Sequence, residues 1–248
     1  MAAQTRSLLD FTYMDEHSSS MAAVPTDPNQ PPLARQLPLT TIPLIIGDRT
    51  WQITCVRSRA GLAADGEHRE HDLFGFLLWE SAVGLAQHLT LQAKQLHQKQ
   101  VLELGAGVGL PGLVAHALGA TVRQTDYQPD ALALTQWNAR RNGITTIETF
   151  LADWRTWRHA PRYDFILGAD ILYDATLHFY LESIFRKNLQ PGGRLLLSDP
   201  GRSQALDFAI QLEQHGWRIE IQTVTTPAIQ PERALPPVEV TLLTARWG

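Results

Sequence analysis

A single cysteine, Cys55, is all the thiol this 248-residue chain carries. One cysteine excludes an internal disulfide and a cysteine-based zinc site, and it fits a reducing, cytoplasmic setting. Long apolar runs are also missing. No stretch approaches the roughly 18 consecutive apolar residues of a membrane span, so none is expected. The first residues hold Arg6 but no apolar core or small-residue cleavage site, so no secretory signal is expected either. Excess charge is absent: the net charge is −4 and the basic residues are scattered, with short clusters such as Arg140-Arg141. That leaves no electrostatic footprint for nucleic acid. Neither a G-x-S-x-G elbow nor a cysteine nucleophile arrangement occurs. What remains is 44% hydrophobic residues, enough for the core of one α/β domain with an elaborated end.

Residues 1–38 are rich in Ser, Pro, Gln and Ala, and Pro25, Pro28, Pro31, Pro32 and Pro38 rule out a long helix. This segment reads as a flexible arm. Ile42–Ile46 and Thr50–Val56 are β-rich runs around Gly47-Asp48-Arg49 and predict a hairpin, followed by a polar loop over Ser58–Asp72. The hairpin and loop form a second segment, 39–72, and the main domain fills 73–248. Its expected order runs as follows. A helix lies within Leu73–Leu89 and a first strand over Val101–Leu104. A helix follows with core residues Leu113, Val114, Ala117 and Leu118, then a second strand with Val122. The next helix runs from Pro129 to Asn142-Gly143, and strand three covers Ile144–Phe150. Strand four is Tyr163–Leu167. A helix carrying Leu177, Leu181, Ile184 and Phe185 and a Pro191-Gly192-Gly193 turn lead to strand five, Arg194–Ser198. A helix near Ser203–His215 and strands Trp217–Val224 and Val238–Trp247 complete the chain. Alternating strands and helices predict a doubly wound, Rossmann-like, seven-stranded, mainly parallel sheet. The last two strands have no helix between them and should pair antiparallel, making the final strand antiparallel to the sheet.

The most informative segment is Val101-Leu-Glu-Leu-Gly-Ala-Gly-Val-Gly-Leu-Pro-Gly112, read together with Asp126. An apolar strand ends in an acid, glycines alternate at Gly105, Gly107 and Gly109, and a helix begins. Glycine accepts positive φ and lets a ligand approach the backbone. Asp126, at the tip of the next strand, is placed for ribose hydroxyls. A dinucleotide site wants G-x-G-x-x-G, with a helix N-terminus facing a pyrophosphate. Here the third glycine comes one residue early, and Glu103 stands two residues before the first. A carboxylate there suits an ammonium-bearing ligand better than a diphosphate. The pattern resembles motif I of class I methyltransferases that use S-adenosylmethionine.

Other candidates sit at strand ends. Asp153 could accept from an exocyclic adenine amine while Trp154 walls the ring; alternatively Asp153 is a helix cap beside a core tryptophan. Asp170 and Tyr173 follow strand four, where ligands meet side chains in such sheets. Asp170 could hold the acceptor amine or the cofactor's methionine end, and Tyr173 could align the nucleophile; otherwise they are a cap and a packed ring. Gly168 just ahead suggests close backbone approach. Trp79 could pack on the methionine moiety or simply on the core. Asn138 and Asn142 share a helix face, the first expected to have a buried structural partner and the second to be a cap. Glu67-His68-Arg69-Glu70-His71-Asp72 admits a zinc reading but lacks a further ligand set, so a solvated or substrate-contacting loop is preferred and no metal is expected. Arg202 reads equally as an anion contact or an ordinary surface cation.

From Phe74 to about Arg202 the chain resembles the seven-β-strand protein-lysine methyltransferases, methyltransferase family 16, and the related bacterial predicted nicotinamide N-methylase group. The pieces that carry the resemblance are Gly75–Ala82, Val101–Gly112, Thr125-Asp126-Tyr127, Asn138–Asn142, Ala152-Asp153-Trp154 and Asp170-Ile171-Leu172-Tyr173. The resemblance implies S-adenosyl-L-methionine as cofactor, with S-adenosyl-L-homocysteine as product. The expected cofactor contacts are Trp79, Glu103, Gly105, Ala106, Gly107, Asp126, Tyr127, Asp153, Trp154 and Ala169. It places Asp170 and Tyr173 at the acceptor amine as the catalytic pair. The expected reaction is methyl transfer to nitrogen, with a protein lysine first among acceptors. A small-molecule amine is an alternative acceptor, and a non-catalytic adenosyl-ligand-binding module is an alternative role. A nucleic-acid amine is not expected, because Asp170-Ile171-Leu172-Tyr173 lacks the Asn/Asp-Pro-Pro-Tyr/Phe pattern. Family likeness alone does not fix the acceptor, and the oligomeric state is not legible.

Overall fold

A computed structural model describes residues 31, 37–57, 70–229 and 236–248. The expected arm over 1–38 lies almost wholly outside the described residues. So do most of the 58–72 loop, with its His68 and neighbours, and part of the proline-rich loop before the last strand.

Strands β1 (Leu39–Ile46) and β2 (Arg49–Val56) form the expected antiparallel hairpin, with Ile46 opposite Arg49. Helix α1 (Glu80–Leu91) and the short α2 (Ala93–Leu96) follow, then β3 (Gln100–Leu104), α3 (Leu110–Ala117), β4 (Thr121–Asp126) and α4 (Pro129–Arg141). The second half holds β5 (Glu148–Leu151), β6 (Tyr163–Ala169), α5 (His178–Asn188), β7 (Leu189–Asp199), α6 (Ser203–Gln214), β8 (Trp217–Thr226) and β9 (Val238–Trp247). The main sheet has the order β5-β4-β3-β6-β7-β9-β8. Every pairing from β5 to β7 is parallel. Strand β9 inserts antiparallel between β7 and β8, as the missing helix predicted.

The order steps outward in both directions from β3, so the carboxyl ends of β3 and β6 flank a topological switch point, where such sheets open a ligand crevice. Strand β3 is buried from Val101 to Leu104, mostly by apolar side chains, because helices cover both faces. The hairpin shares one core with α1 and α3: Trp51, Ile53 and Cys55 pack in the same cluster as Leu85, Leu89 and Leu113. Two asparagines fix it there. Asn138 accepts from Thr54 N at 2.8 Å and donates to Thr54 O at 3.0 Å and Val108 O at 2.9 Å. Asn142 repeats the pattern on Gln52, accepting at 2.9 Å and donating at 2.9 Å. Their i, i+4 spacing matches alternate residues of β2, so each side-chain amide imitates a neighbouring strand's peptide group. Asn142 also ends α4, as expected.

Three local expectations change. Ile144 was expected in a strand, yet β5 starts only at Glu148. Ile144 instead closes α4: its N–H reaches Ala139 O at 2.9 Å and Gly143 N–H reaches Arg140 O at 3.0 Å around Gly143 in the left-handed region. This is a Schellman stop with a buried hydrophobic residue after the glycine. Pro191-Gly192-Gly193 was expected before strand five, but it lies inside β7. Tyr163 pairs with Leu189 and Phe165 with Arg194, so the extra residues bulge out of register. Ala117, expected in the core stripe, is exposed, and Leu110 buries in that helix instead.

Candidate active site

The carboxyl ends of β3, β4 and β6 open into one cavity of about 740 Å³. All twelve residues expected at the site line it, namely Trp79, Glu103, Gly105, Ala106, Gly107, Asp126, Tyr127, Asp153, Trp154, Ala169, Asp170 and Tyr173. Described residues that the sequence did not single out complete the wall, chiefly Phe74, Ile171, Asp174, Tyr180 and Gln204.

The glycine turn is built by contact as much as by conformation. Gly105 and Gly107 have φ of 62° and 53°, in the left-handed region. A Cβ on Gly105 would come within 2.9 Å of Ile171 Cγ2. Beneath the turn, Glu103 is 1% exposed. Its Oε2 accepts from Gly112 N at 3.1 Å and from Gln124 Nε2 at 2.5 Å. Burial is the largest influence on Glu103 and pushes its carboxyl up to about 8, while the Gln124 and Gly112 bonds oppose the rise. Gln124 also donates to Gly109 O at 2.9 Å, tying β4 to the turn. Gly112 is therefore a site residue of a different kind: a Cβ there would lie 2.5 Å from both Glu103 Oε2 and Gln124 Nε2.

Asp126 stands at the end of β4. Its Oδ2 accepts from Gly107 N at 3.0 Å and its Oδ1 from Gln128 N at 3.1 Å. Burial raises this carboxyl and the backbone donors hold it back. Asp153 takes the capping position: its Oδ1 accepts from Arg155 N at 2.9 Å, and the carboxylate pairs with the Arg155 guanidinium at 2.6 Å. The Arg155 hydrogen bond keeps the Asp153 carboxyl below its ordinary value. Trp79 Nε1 donates to Phe74 O at 3.0 Å, and the Phe74 ring meets both Trp79 and Tyr173 edge-on, at 5.7 and 6.0 Å. These rings form an aromatic wall on one side of the cavity.

Asp170 follows β6 with φ of 58°, a left-handed conformation uncommon outside glycine. Its N–H bonds Ser198 O at 2.8 Å across to β7. Its Oδ1 receives Arg202 Nη1 at 2.5 Å, and the same nitrogen reaches Asp199 Oδ2 at 2.9 Å. Ser81 Oγ lies 3.4 Å from Asp170 Oδ2. Burial, the largest influence, raises the Asp170 carboxyl; the Arg202 charge opposes it and the Asp199 charge adds to it. Arg202 is thus neither a free anion contact nor a plain surface cation but the bridge between two aspartates. Gly168 also has another reason than ligand approach: a Cβ there would meet Ile171 Cδ1 at 2.4 Å and Leu197 Cδ2 at 3.0 Å. Tyr173 is held above its ordinary phenol value, first by burial and then by Asp126, Asp174 and Asp170.

A family model described as lysine methyltransferase matches residues 61–214. The chain belongs to this lysine methyltransferase family. Histone-arginine methyltransferase METTL23 of Mus musculus is 33% identical over 129 residues, which cover 45% of this chain and 50% of that protein. Protein N-lysine methyltransferase METTL21A of Danio rerio is 31% identical over 159 residues, 62% of this chain and 67% of that protein. The matches therefore span about half to two thirds of these relatives' own lengths. Among solved structures, the ribosomal protein L11 methylase of Lactobacillus delbrueckii subsp. bulgaricus aligns with a TM-score of 0.52 at 21% identity, covering 67% of this chain and 79% of that one. At that identity the likeness shows the Rossmann-like methyltransferase fold alone. Among the described residues no group of three or more His, Cys, Asp or Glu is arranged for a metal. No described helix is long and apolar enough to cross a membrane.

Proposed function

We propose that the protein transfers a methyl group from S-adenosylmethionine to nitrogen, with a protein lysine side chain as the acceptor. The observation that carries this reading is the charge of the cavity: five carboxyl side chains (Glu103, Asp126, Asp153, Asp170, Asp174) and one guanidinium (Arg155) line it among the described residues. Such a cavity attracts a sulfonium and an ammonium and repels a diphosphate. Glu103, buried and pushed up to about 8, would regain its ionised form beside an incoming cation. Trp79, Glu103, Gly105, Ala106, Gly107, Asp126, Tyr127, Asp153, Trp154 and Ala169 would hold the cofactor. When bound, it supplies an activated methyl group on a good leaving group.

The chain's own residues position the acceptor. Lysine is mostly protonated near neutral pH, so it must lose a proton before it attacks. In this reading Asp170 Oδ2 orients the amine. Tyr173, kept neutral, aligns it without acting as base, and water takes the proton. Aligning acceptor and methyl donor can supply up to about 7–11 kcal/mol of barrier reduction in ideal cases. All described lining residues fall between Phe74 and Gln204, which supports 73–248 as the catalytic domain and 1–38 and 39–72 as an arm and an appended hairpin. The single, buried Cys55 supports a cytoplasmic setting. An arginine acceptor is a second reading, favoured by the likeness to METTL23.

Calorimetry with S-adenosylmethionine, S-adenosylhomocysteine and NAD tests the cofactor. Labelled-methyl incorporation into a lysate, followed by mass spectrometry of the labelled band, tests the acceptor. Uptake of NAD in place of both sulfur compounds would sink the proposal; label confined to small molecules would replace the protein acceptor with a metabolite.

A further inference from the structure

Asp170 is the one non-glycine residue of the described cavity wall in the left-handed backbone region, with φ of 58°. An aspartate held there at the end of a strand needs surroundings that fix it, since such conformations cost of order 1–3 kcal/mol. Three elements supply the fixing. Strand β7 accepts the Asp170 N–H through Ser198 O at 2.8 Å. Helix α1 presents Ser81, whose backbone carbonyl takes Ser198 Oγ at 2.8 Å and whose hydroxyl faces Asp170 Oδ2 at 3.4 Å. The third is Arg202, at the start of α6. Its side chain is 28% exposed, and a single nitrogen, Nη1, contacts Asp170 Oδ1 at 2.5 Å and Asp199 Oδ2 at 2.9 Å. Asp199 is in turn locked by backbone donors, Gly201 N at 2.8 Å and Arg202 N at 2.7 Å. The two oxygens of Asp170 therefore differ. Oδ1 is committed, whereas among the described residues Oδ2 has only the long Ser81 contact on the side of a cavity that Asp170 lines.

We propose that Arg202 is a positioning residue. Braced by Asp199, it clamps Oδ1 of Asp170 so that Oδ2 is turned to the acceptor nitrogen. The proposal rests on the reading of Asp170 as the acceptor-orienting group. A merely structural arginine here would hold the Asp199 turn without setting the ionisation of a cavity carboxylate. The charged and titratable groups facing Asp170 among the described residues are Arg202, Asp199 and the Tyr173 phenol, with Ser81 as a neutral donor. Removing the one cation leaves two nearby carboxyl groups, so Asp170 takes up a proton at higher pH and presents a neutral carboxylic acid to the amine.

The experiment uses the full chain, with Arg202→Met, Arg202→Lys and Asp199→Asn. Carbon-13 NMR of the side-chain carboxyls follows the Asp170 titration in cofactor-free protein, assigned by its disappearance in Asp170→Asn. Calorimetry with S-adenosylhomocysteine measures cofactor-site integrity. Initial rates of labelled-methyl transfer into a lysate measure turnover across pH. In Arg202→Met, Asp170 titrates at higher pH than in the wild type, transfer near neutral pH falls on the order of 100-fold, the acid limb of the rate profile moves up, and S-adenosylhomocysteine affinity is retained. Because one nitrogen makes both contacts, a lysine ammonium can occupy its place, so Arg202→Lys recovers most of the rate and restores the titration. Asp199→Asn falls between them. An unmoved Asp170 titration in Arg202→Met, or a rate loss mirrored by an equal loss of S-adenosylhomocysteine affinity, overturns the proposal. Wild-type protein that binds neither sulfur compound while its Asp170 still follows Arg202 would end the proposed function and leave the clamp standing.

Discussion

The side-chain amide of Gln124 lies 2.5 Å from the carboxylate of Glu103, underneath the glycine turn and out of contact with solvent. The contact joins two parallel strands through their side chains at the point where both end in the cavity. It also leaves a carboxyl group buried with hydrogen-bond donors but with no cation beside it in the described protein.

That burial sets a pH dependence with a definite sign. Glu103 is pushed up from 4.5 to about 8 in the folded chain. The folded state therefore holds a proton that the unfolded state has released across that window. Its contribution to stability is full below about pH 4.5 and is lost as pH rises through about 8, amounting to a few kcal/mol. Urea unfolding of cofactor-free Glu103→Gln at pH 6 and at pH 8.5 should lack this slope, and the variant should be the more stable protein at the higher pH. The same variant should bind S-adenosylmethionine more weakly than wild type by calorimetry. Equal slopes in the two proteins would show that Glu103 is ionised throughout.

Gly112→Ala should be disproportionately harmful for one added methyl group. Its Cβ would meet two buried, mutually bonded side chains at 2.5 Å, so an overpacking cost of about 1–3 kcal/mol is expected together with weaker cofactor binding. Gly143→Ala is the control. Its φ of 74° strains an alanine, but nothing lies within 4 Å, so it should lower stability modestly and leave binding intact. Thermal melts and calorimetry on the pair separate packing from conformation.

Asp170→Ala should retain cofactor affinity and lose transfer by on the order of 100-fold or more. Should the loss appear in S-adenosylmethionine affinity instead, Asp170 holds the methionine end of the cofactor; turnover equal to wild type would remove it from the chemistry.

Asn138→Ala removes three hydrogen bonds and strands the Thr54 peptide group in a buried setting. A loss of about 2–4 kcal/mol is expected. Hydrogen exchange should show faster exchange first at the β2 amides of Thr54 and Gln52, while β3 stays protected.

The glycine turn and its flanking acids were legible because they are local: an apolar strand, three alternating glycines and an acid at the next strand end fall within a short stretch of chain. The antiparallel last strand followed from a missing helix. Arg202 could not be assigned, because its meaning depends on Asp170, which stands 32 residues earlier on a neighbouring strand end. Gln124 and Gly112 carried no signal of their own; they matter only through the carboxylate they surround. Gly168 misled for a related reason. A glycine cleared to admit a side chain, here Ile171, reads in sequence like one cleared to admit a ligand. Ile144 looked like strand because a Schellman stop places a hydrophobic residue after its glycine.

The asparagine grip on the hairpin has a consequence for the order of assembly. During synthesis β1 and β2 emerge before the rest of the described elements, but the amide that receives Thr54 arrives 84 residues later. An isolated two-stranded hairpin is marginal in water. The first described strands should therefore be among the last elements to lock. It would wait, half-formed, until α4 has been threaded and laid against the growing sheet.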